Sequence, residues 1–311
     1  MNILIYALGG GWGHLTRAAA LASALLPHRA TILANSPYLG IAREAMPELS
    51  IVPVSSREEV VERIANRAPD ALIVDTFPRG LGGELVALLP DCRFRILIHR
   101  DLSAQYVAWG NLREFVANHY DYVLCPGESA PFDNLPHASM TAPWLIREPQ
   151  PVQNPARVVV CASGNAEEMP WYGEVTDSLA SLNIDVRCIA HDRPPGCPED
   201  RWVRYWPAID WIAGADVVVG GAGYNTVNEC SATGTPLIAR PWPRKYDRQR
   251  LRAERAEGVT LVDSPNEAAT ATVKALSLPR PGPKPRFRNG AQGAAALILK
   301  LALDEKLAED L

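Results

Sequence analysis

Two glycine-rich runs hold most of the chemistry that can be read from this sequence. The first is Gly9-Gly10-Gly11-Trp12-Gly13-His14, which ends an apolar run and leads directly into a segment of helical character. Glycines let a chain turn sharply and let its backbone approach another molecule closely. The following helix start presents unpaired N–H groups and a partial positive charge. Gly10, Gly11 and Gly13 are therefore candidates to hold a phosphate or to shape the floor of a ligand site. His14 falls at the loop–helix junction, where open α/β sheets form their ligand crevice. A neutral imidazole there can take a proton from an incoming hydroxyl, and a histidine that only caps the helix is the alternative. Asp75 and Asp101 follow later strand candidates and could orient that imidazole, although a strand-end Asp is as often a helix cap.

The second run is Gly220-Gly221-Ala222-Gly223-Tyr224-Asn225-Thr226-Val227-Asn228-Glu229, preceded by the apolar Asp216-Val217-Val218-Val219. It reads as strand, glycine turn and helix, with Glu229 about two turns into the helix. Gly234-Thr235-Pro236 and another strand follow, then the polar stretch Arg244-Lys245-Tyr246-Asp247-Arg248-Gln249. A carboxylate near a glycine-flanked helix start suits a vicinal diol such as ribose, because it accepts two hydrogen bonds. The helix start suits a diphosphate, and Asp247 and Gln249 carry groups able to read hydroxyls. A solvated Glu229 on an ordinary amphipathic helix is the structural alternative. A Rossmann dinucleotide loop also competes for the first run. Its G-x-G-x-x-G spacing is not met, and Ala34-Asn35-Ser36 stands where an acidic ribose residue should lie.

The elements that must position these residues alternate along the chain. Strand candidates in the first half are 2–7, 30–34, 51–54, 71–74, 94–98 and 122–124, with helical segments 14–26, 57–67 and 103–118. Continuous apolar strands such as Ala71-Leu72-Ile73-Val74 indicate parallel sheets covered on both faces. Pro143, Pro149, Pro151 and Pro155 then mark a semi-rigid linker over 143–157. Strands near 157–161, 184–190, 201–206, 216–219, 236–239 and 259–262 follow, with helices 169–182, 223–232, 247–257 and 265–277. A second proline-rich linker over 279–285 precedes a last apolar helix near 287–303. The fold expected is α/β, with two doubly wound Rossmann-like domains joined by a proline-rich hinge. Their spans are 1–148 and 149–285, and helix 286–311 packs back on the first. At 311 residues the chain is long enough for two cores of ~150 residues.

Composition narrows the functional class. The net charge of −4 gives no electrostatic footprint for nucleic acid. Met1-Asn2-Ile3-Leu4-Ile5-Tyr6 lacks the basic and long apolar segments of a signal peptide, and no run reaches the ~18 apolar residues of a membrane span. A cytoplasmic protein is expected. Cys92, Cys125, Cys161, Cys188, Cys197 and Cys230 form no Cys-x-x-Cys pair and read as free, partly buried thiols.

At 8–20 and 216–258 the chain resembles GT-B glycosyltransferases. The likeness is to the lipid-linked N-acetylglucosaminyltransferase of peptidoglycan synthesis and then to UDP-glycosyltransferases. The resemblance implies a nucleotide-sugar donor, UDP-linked, on the C-terminal domain and a hydroxyl acceptor on the N-terminal domain, with the two domains facing a cleft. It implies that Glu229 binds the ribose hydroxyls, that Gly221, Ala222, Gly223 and Tyr224 surround the diphosphate, and that Asp247 and Gln249 face the sugar. Trp206 falls where the family pairs the base with backbone groups, and Ser163 and Gly164 match the loop closing over the donor. His14 matches the histidine of the family's glycine-rich N-terminal loop, proposed there as a general base or as an acceptor- and phosphate-facing group. Inverting transfer without a metal or other cofactor is implied, and no Asp-x-Asp pair stands at a strand end. Two departures are visible. Val219 replaces the histidine common before the Gly-Gly pair, leaving amides with Arg244, Lys245 or Arg248 for the phosphates. The run Gly13-His14-Leu15-Thr16-Arg17 is closer to sugar-nucleotide hydrolases of the pseudaminic acid pathway, which share the fold. Hydrolysis and non-catalytic sugar-nucleotide binding are the alternatives to transfer. A lipid-linked or polysaccharide acceptor fits the resemblance. For a lipid acceptor at the inner membrane face, Trp109, Leu112, Phe115 and Arg113 would form the contact, unless they are a core-facing helix stripe.

Overall fold

The computed structural model describes residues 1–278 and 289–309, with side chains given as far as 302. The linker expected over 279–285 lies outside the described residues, as do the first positions of the helix expected from 287. The chain divides into two compact units. The first takes in Met1–Arg147 and the C-terminal helix, and the second begins at Glu148.

The sheet of the first unit has seven strands, all parallel: β1 (Asn2–Tyr6), β2 (Arg29–Ala34), β3 (Ser50–Pro53), β4 (Ala71–Asp75), β5 (Arg95–Ile98), β6 (Tyr122–Pro126) and β7 (Ala138–Thr141). Their order is β3-β2-β1-β4-β5-β6-β7. Helices α1 (Trp12–Ala24), α2 (Leu39–Ala45), α3 (Arg57–Arg67), α4 (Ala104–Ala108) and α5 (Leu112–His119) lie between the strands. The order reverses between β1 and β4, which pair in register from Ile3↔Ala71 to Tyr6↔Val74. Crossovers on either side of this point leave in opposite directions, opening a crevice at the carboxyl ends of β1 and β4. The first glycine run leaves β1 there, and Asp75 ends β4.

The second unit repeats the plan with β8 (Val158–Cys161), β9 (Val186–Ile189), β10 (Trp202–Val203), β11 (Val217–Gly221), β12 (Leu237–Arg240) and β13 (Val259–Leu261). These six parallel strands run β10-β9-β8-β11-β12-β13, reversing between β8 and β11. Its helices are α6 (Met169–Ser181), α7 (Ile209–Gly214), α8 (Tyr224–Thr233), α9 (Gln249–Arg255) and α10 (Pro265–Leu276). Val158–Cys161 and Val217–Gly221 are buried throughout, as strands covered on both faces must be. Local chemistry sets the ends of several helices. Ser56 accepts the Glu59 N–H to start α3, Ser264 and Glu267 form a capping box on α10, and Gly234 closes α8 at φ +67°.

Two doubly wound parallel sheets are what the apolar runs indicate, and the differences are local. The helix expected over 103–118 is broken into α4 and α5, because Gly110 (φ 61°) and Asn111 (φ 53°) adopt left-handed conformations. The strand expected over 201–206 shortens to Trp202–Val203 before Pro207. β7, at the sheet edge, has no apolar run, and α2 and α7 span only 7 and 6 residues, too short for a clear helical period. All six cysteines are free and buried.

A last helix, α11 (Gly290–Glu309), packs on α1 and β7. Asn289 clips it in place: its carboxamide accepts the Leu145 N–H at 3.1 Å and donates to the Leu145 carbonyl at 2.9 Å. Gly290 sits so close to the Ala142 carbonyl that a β-carbon would collide with it. Asn289→Ala removes both bonds from Leu145 and should lower unfolding free energy by about 2 kcal/mol, read as a lower urea midpoint at unchanged slope.

Candidate functional site

At the first switch point, His14 and Arg17 meet Asp75. Trp12 opens α1, so His14 and Arg17, three residues apart, share a helix face that looks onto the end of β4. Asp75 has no exposed surface. It accepts from Arg17 through Nε at 3.0 Å and a terminal nitrogen at 2.7 Å, and its Oδ2 lies 2.6 Å from His14 Nδ1. Burial works to raise this carboxyl, but the charges and hydrogen bonds of Arg17 and His14 outweigh it and hold Asp75 well below the usual carboxylate range. An ionised carboxylate only accepts, so Nδ1 carries a proton toward Asp75, which leaves Nε2 as the ring nitrogen that can exchange one. The His14 ring also stacks on Phe77 at 5.5 Å and lies against Gly9, where a β-carbon would overlap the imidazole.

Asp101, the other candidate for orienting His14, instead donates its own N–H to Glu128 at 3.3 Å. Of the loop glycines, Gly10 has its amide already engaged. Asn35 Oδ1 accepts both the Gly9 and Gly10 N–H groups at 3.0 Å, so the Gly10 amide is committed to shaping the loop. Gly11 is the N-cap of α1 without a side-chain cap, and Gly13 lies in its first turn. Trp12 stacks on Tyr38 with centroids 4.1 Å apart. Leu112 and Phe115, considered as a membrane-facing pair, are 0% and 8% exposed and belong to the core, whereas Trp109 is 66% exposed. Arg113 donates to the Pro131 carbonyl. No helix among the described residues is long and apolar enough to cross a membrane.

At the second switch point, the glycine turn carries β11 into α8. Gly223 is the N-cap of α8 and no side chain caps it, and an uncapped helix N-terminus attracts anions. The Ala222 N–H does not contribute, because it bonds the Arg240 carbonyl at 3.2 Å. Tyr224 is buried at the first helical position. Glu229 is 6% exposed, and burial, with repulsion from Asp210 adding to it, pushes its carboxyl up to about 7. Asp210 is itself satisfied by Tyr205 Oη and the Gln150 N–H, each at 2.9 Å.

The polar stretch after β12 is more committed than its sequence indicates. Arg244 makes a two-pronged ion pair with Glu168, and Asp247 a two-pronged pair with Arg252, at 2.5 and 3.2 Å. Gln249 Oε1 accepts the Trp242 N–H at 3.0 Å, which directs its amide nitrogen elsewhere. Lys245 lies over the Tyr246 ring and is exposed, as is Arg248. Trp206 is 8% exposed in the turn before α7. Ser163 and Gly164 follow β8, with Gly164 at φ +135° over Glu168. Asn35, Glu168, Tyr172, Trp242 and Arg252 act on these sites without having been singled out beforehand. Only Arg17 had a sequence signal, its spacing from His14.

Two doubly wound units with these switch points define the GT-B fold. Residues 201–261, from the start of β10 to the end of β13, match the glycosyltransferase family 28 C-terminal domain. This stretch contains the glycine turn and Glu229. No curated protein sequence matches the chain. Among solved structures, the kitacinnamycin glycotransferase is similar over 96% of this chain and 98% of its own, at TM-score 0.63 and 15% identity. S. aureus MnaA with UDP is similar at TM-score 0.65 and 10% identity, over 98% of both chains. The UDP-GlcNAc 2-epimerase of Neisseria meningitidis bound to UDP-GlcNAc gives TM-score 0.64 and 12% identity, over 98% of this chain and all (100%) of its own. Likeness at these identities shows a shared fold.

The raised carboxyl of Glu229 makes folding stability depend on pH. An unfolded glutamate ionises near about 4.3, whereas the folded one holds its proton up to about 7. The folded state therefore binds more protons than the unfolded one between those values. Stability falls as pH rises through that window and levels off above it, by about 4 kcal/mol for this group. Glu229→Gln should match wild type in urea midpoint at pH 4 and exceed it at pH 8. Parallel midpoints at both values would contradict the assignment.

Proposed function

We propose that this protein transfers a sugar from a nucleoside-diphosphate sugar, UDP-linked, to a hydroxyl acceptor. The observation that carries the reading is the second switch point. An open helix N-terminus is followed two turns on by a buried carboxyl, inside the stretch that matches the family 28 C-terminal domain. Amides of the first turn of α8 hold the diphosphate, and Glu229 accepts two hydrogen bonds from the ribose diol as it ionises on binding. Trp206 lies beside the base, and the free amide nitrogen of Gln249 serves the sugar. Lys245 and Arg248, exposed in the stretch after β12, serve the leaving phosphate, whereas Arg244 is held by Glu168.

His14 is the general base. Its Nε2 takes the acceptor's proton while the oxygen attacks the anomeric carbon, and the bond to the diphosphate breaks on the opposite side, inverting the configuration. Asp75 keeps the Nδ1–H tautomer and stabilises the imidazolium that forms. Protein groups alone offset the leaving charge in this scheme, so no metal ion takes part. Arg17 gives a second reading some support, since the Gly-His-x-x-Arg run places its arginine on Asp75. In that reading water replaces the acceptor, and the chain is a nucleotide-sugar hydrolase using the same dyad.

Kinetics separate the roles. His14→Ala should lower kcat by about 10²- to 10⁴-fold with donor affinity within twofold of wild type. Glu229→Ala should weaken donor binding by about tenfold or more in calorimetric titration. Unchanged donor affinity in the second variant would defeat the donor-site assignment. Release of nucleoside diphosphate without acceptor, measured on wild type, should be slow beside turnover with acceptor. Release at the full rate would select the hydrolase.

A further inference from the structure

The loops leaving β8 and β12 are joined across the glycine turn by two side-chain bridges. β11 lies between those strands, so the loops flank its end on either side. Tyr172, early in α6 and fully buried, donates its hydroxyl proton to the Ser163 carbonyl at 3.1 Å and accepts the Trp242 Nε1–H at 2.8 Å. Four residues earlier, Glu168 accepts the Asn165 N–H at 3.3 Å and holds Arg244 in the two-pronged pair described above. Both bridges thus start from the Glu168–Tyr172 stretch, end in 242–244, and grip residues 163–165. Gly221 lies beneath them. A β-carbon there would stand 3.2 Å from Tyr172 Oη and 3.4 Å from Trp242 Cδ1. The guanidinium of Arg240 covers the Trp242 ring at 3.9 Å, fixing the indole from a further side.

The placement of polar atoms is the telling feature. Tyr172 and Trp242 belong to an apolar cluster with Val160, Trp171 and Val219, where packing alone would be served by phenylalanine. Their hydroxyl and indole N–H are used instead to tether the carbonyl of a loop residue at the mouth of the crevice. A buried chain of hydrogen bonds with every member satisfied is stiff, because breaking one link leaves polar groups unpaired. We infer that Tyr172 and Trp242 are positioning residues for the donor's diphosphate, holding the Ser163–Gly164 backbone at a set distance from the α8 N-terminus. This rests on the nucleotide-sugar reading above. The tether acts on the phosphate side of the site, whereas Glu229 and Trp206 serve the nucleoside. Losing it costs diphosphate affinity and spares nucleoside affinity.

The test is calorimetric titration of the full chain with UDP, and NMR titration with uridine, for wild type, Tyr172→Phe, Trp242→Phe and the double variant. Tyr172→Phe should raise the Kd for UDP about tenfold and move that for uridine less than twofold. The double variant should bind UDP within about threefold of the weaker single variant, since both changes cut one chain. Thermal melts identify a variant that fails to fold, and either single variant carries the comparison by itself. Wild-type affinity for UDP in the folded variants, or equal losses for UDP and uridine, would overturn the inference. A wild-type chain that does not bind UDP would defeat the nucleotide-sugar reading itself.

Discussion

A carboxylate taken wholly out of water must be compensated where it stands, and Asp75 is such a group at the end of a central strand. Arg17 supplies the charge and His14 a third hydrogen bond. Much of the first unit follows from meeting that need. α1 must begin immediately after the glycine run so that residues 14 and 17 share the face toward β4. Gly9 must lack a side chain, since a β-carbon would occupy the imidazole's place. Asn35 must reach from the end of β2 to pin the loop through two N–H groups. The outcome is a histidine whose Nδ1 is directed at Asp75, which leaves Nε2 for any exchange of a proton.

The second unit places a carboxyl at the corresponding switch point under the opposite condition. Glu229 is also buried, yet its nearest charged influence is the like-signed Asp210, so its proton is retained up to about 7. A buried carboxyl left uncompensated costs folding stability at neutral pH, and a ligand offering two hydroxyl protons relieves that cost. One sheet thus carries a carboxylate satisfied within the protein, and the other a carboxyl without such compensation. That contrast matches a base-orienting role for the first and a binding role for the second.

The sheets, the two glycine turns and the positions of His14 and Glu229 on the helices that follow those turns were legible because their signals are local. Apolar runs mark buried parallel strands, and glycines before a helix mark where a backbone must pass close to something. Asp75 was legible as one of two strand-end aspartates, and choosing between them needed the strand order that sets β4 beside β1. What was not legible is non-local. Nothing near Asn35 in sequence shows that it serves Gly9 and Gly10, 26 and 25 residues away. Tyr172 and Trp242 lie 70 residues apart. Asp247, Arg244 and Gln249 looked free because their partners Arg252, Glu168 and the Trp242 amide become neighbours only on folding. Leu112 and Phe115 show the same limit on the apolar side, since helical spacing is identical for a core stripe and a docking face.

A base-orienting role for Asp75 depends on the proton that His14 directs toward it. Nitrogen-15 NMR of the imidazole, assigned by comparison with the His14→Gln variant, reads that proton directly at the pH of activity. The expected result is the Nδ1–H tautomer, with an unprotonated Nε2 whose signal shifts when acceptor is added. An Nε2–H tautomer, or a ring protonated on both nitrogens throughout the active pH range, would contradict it.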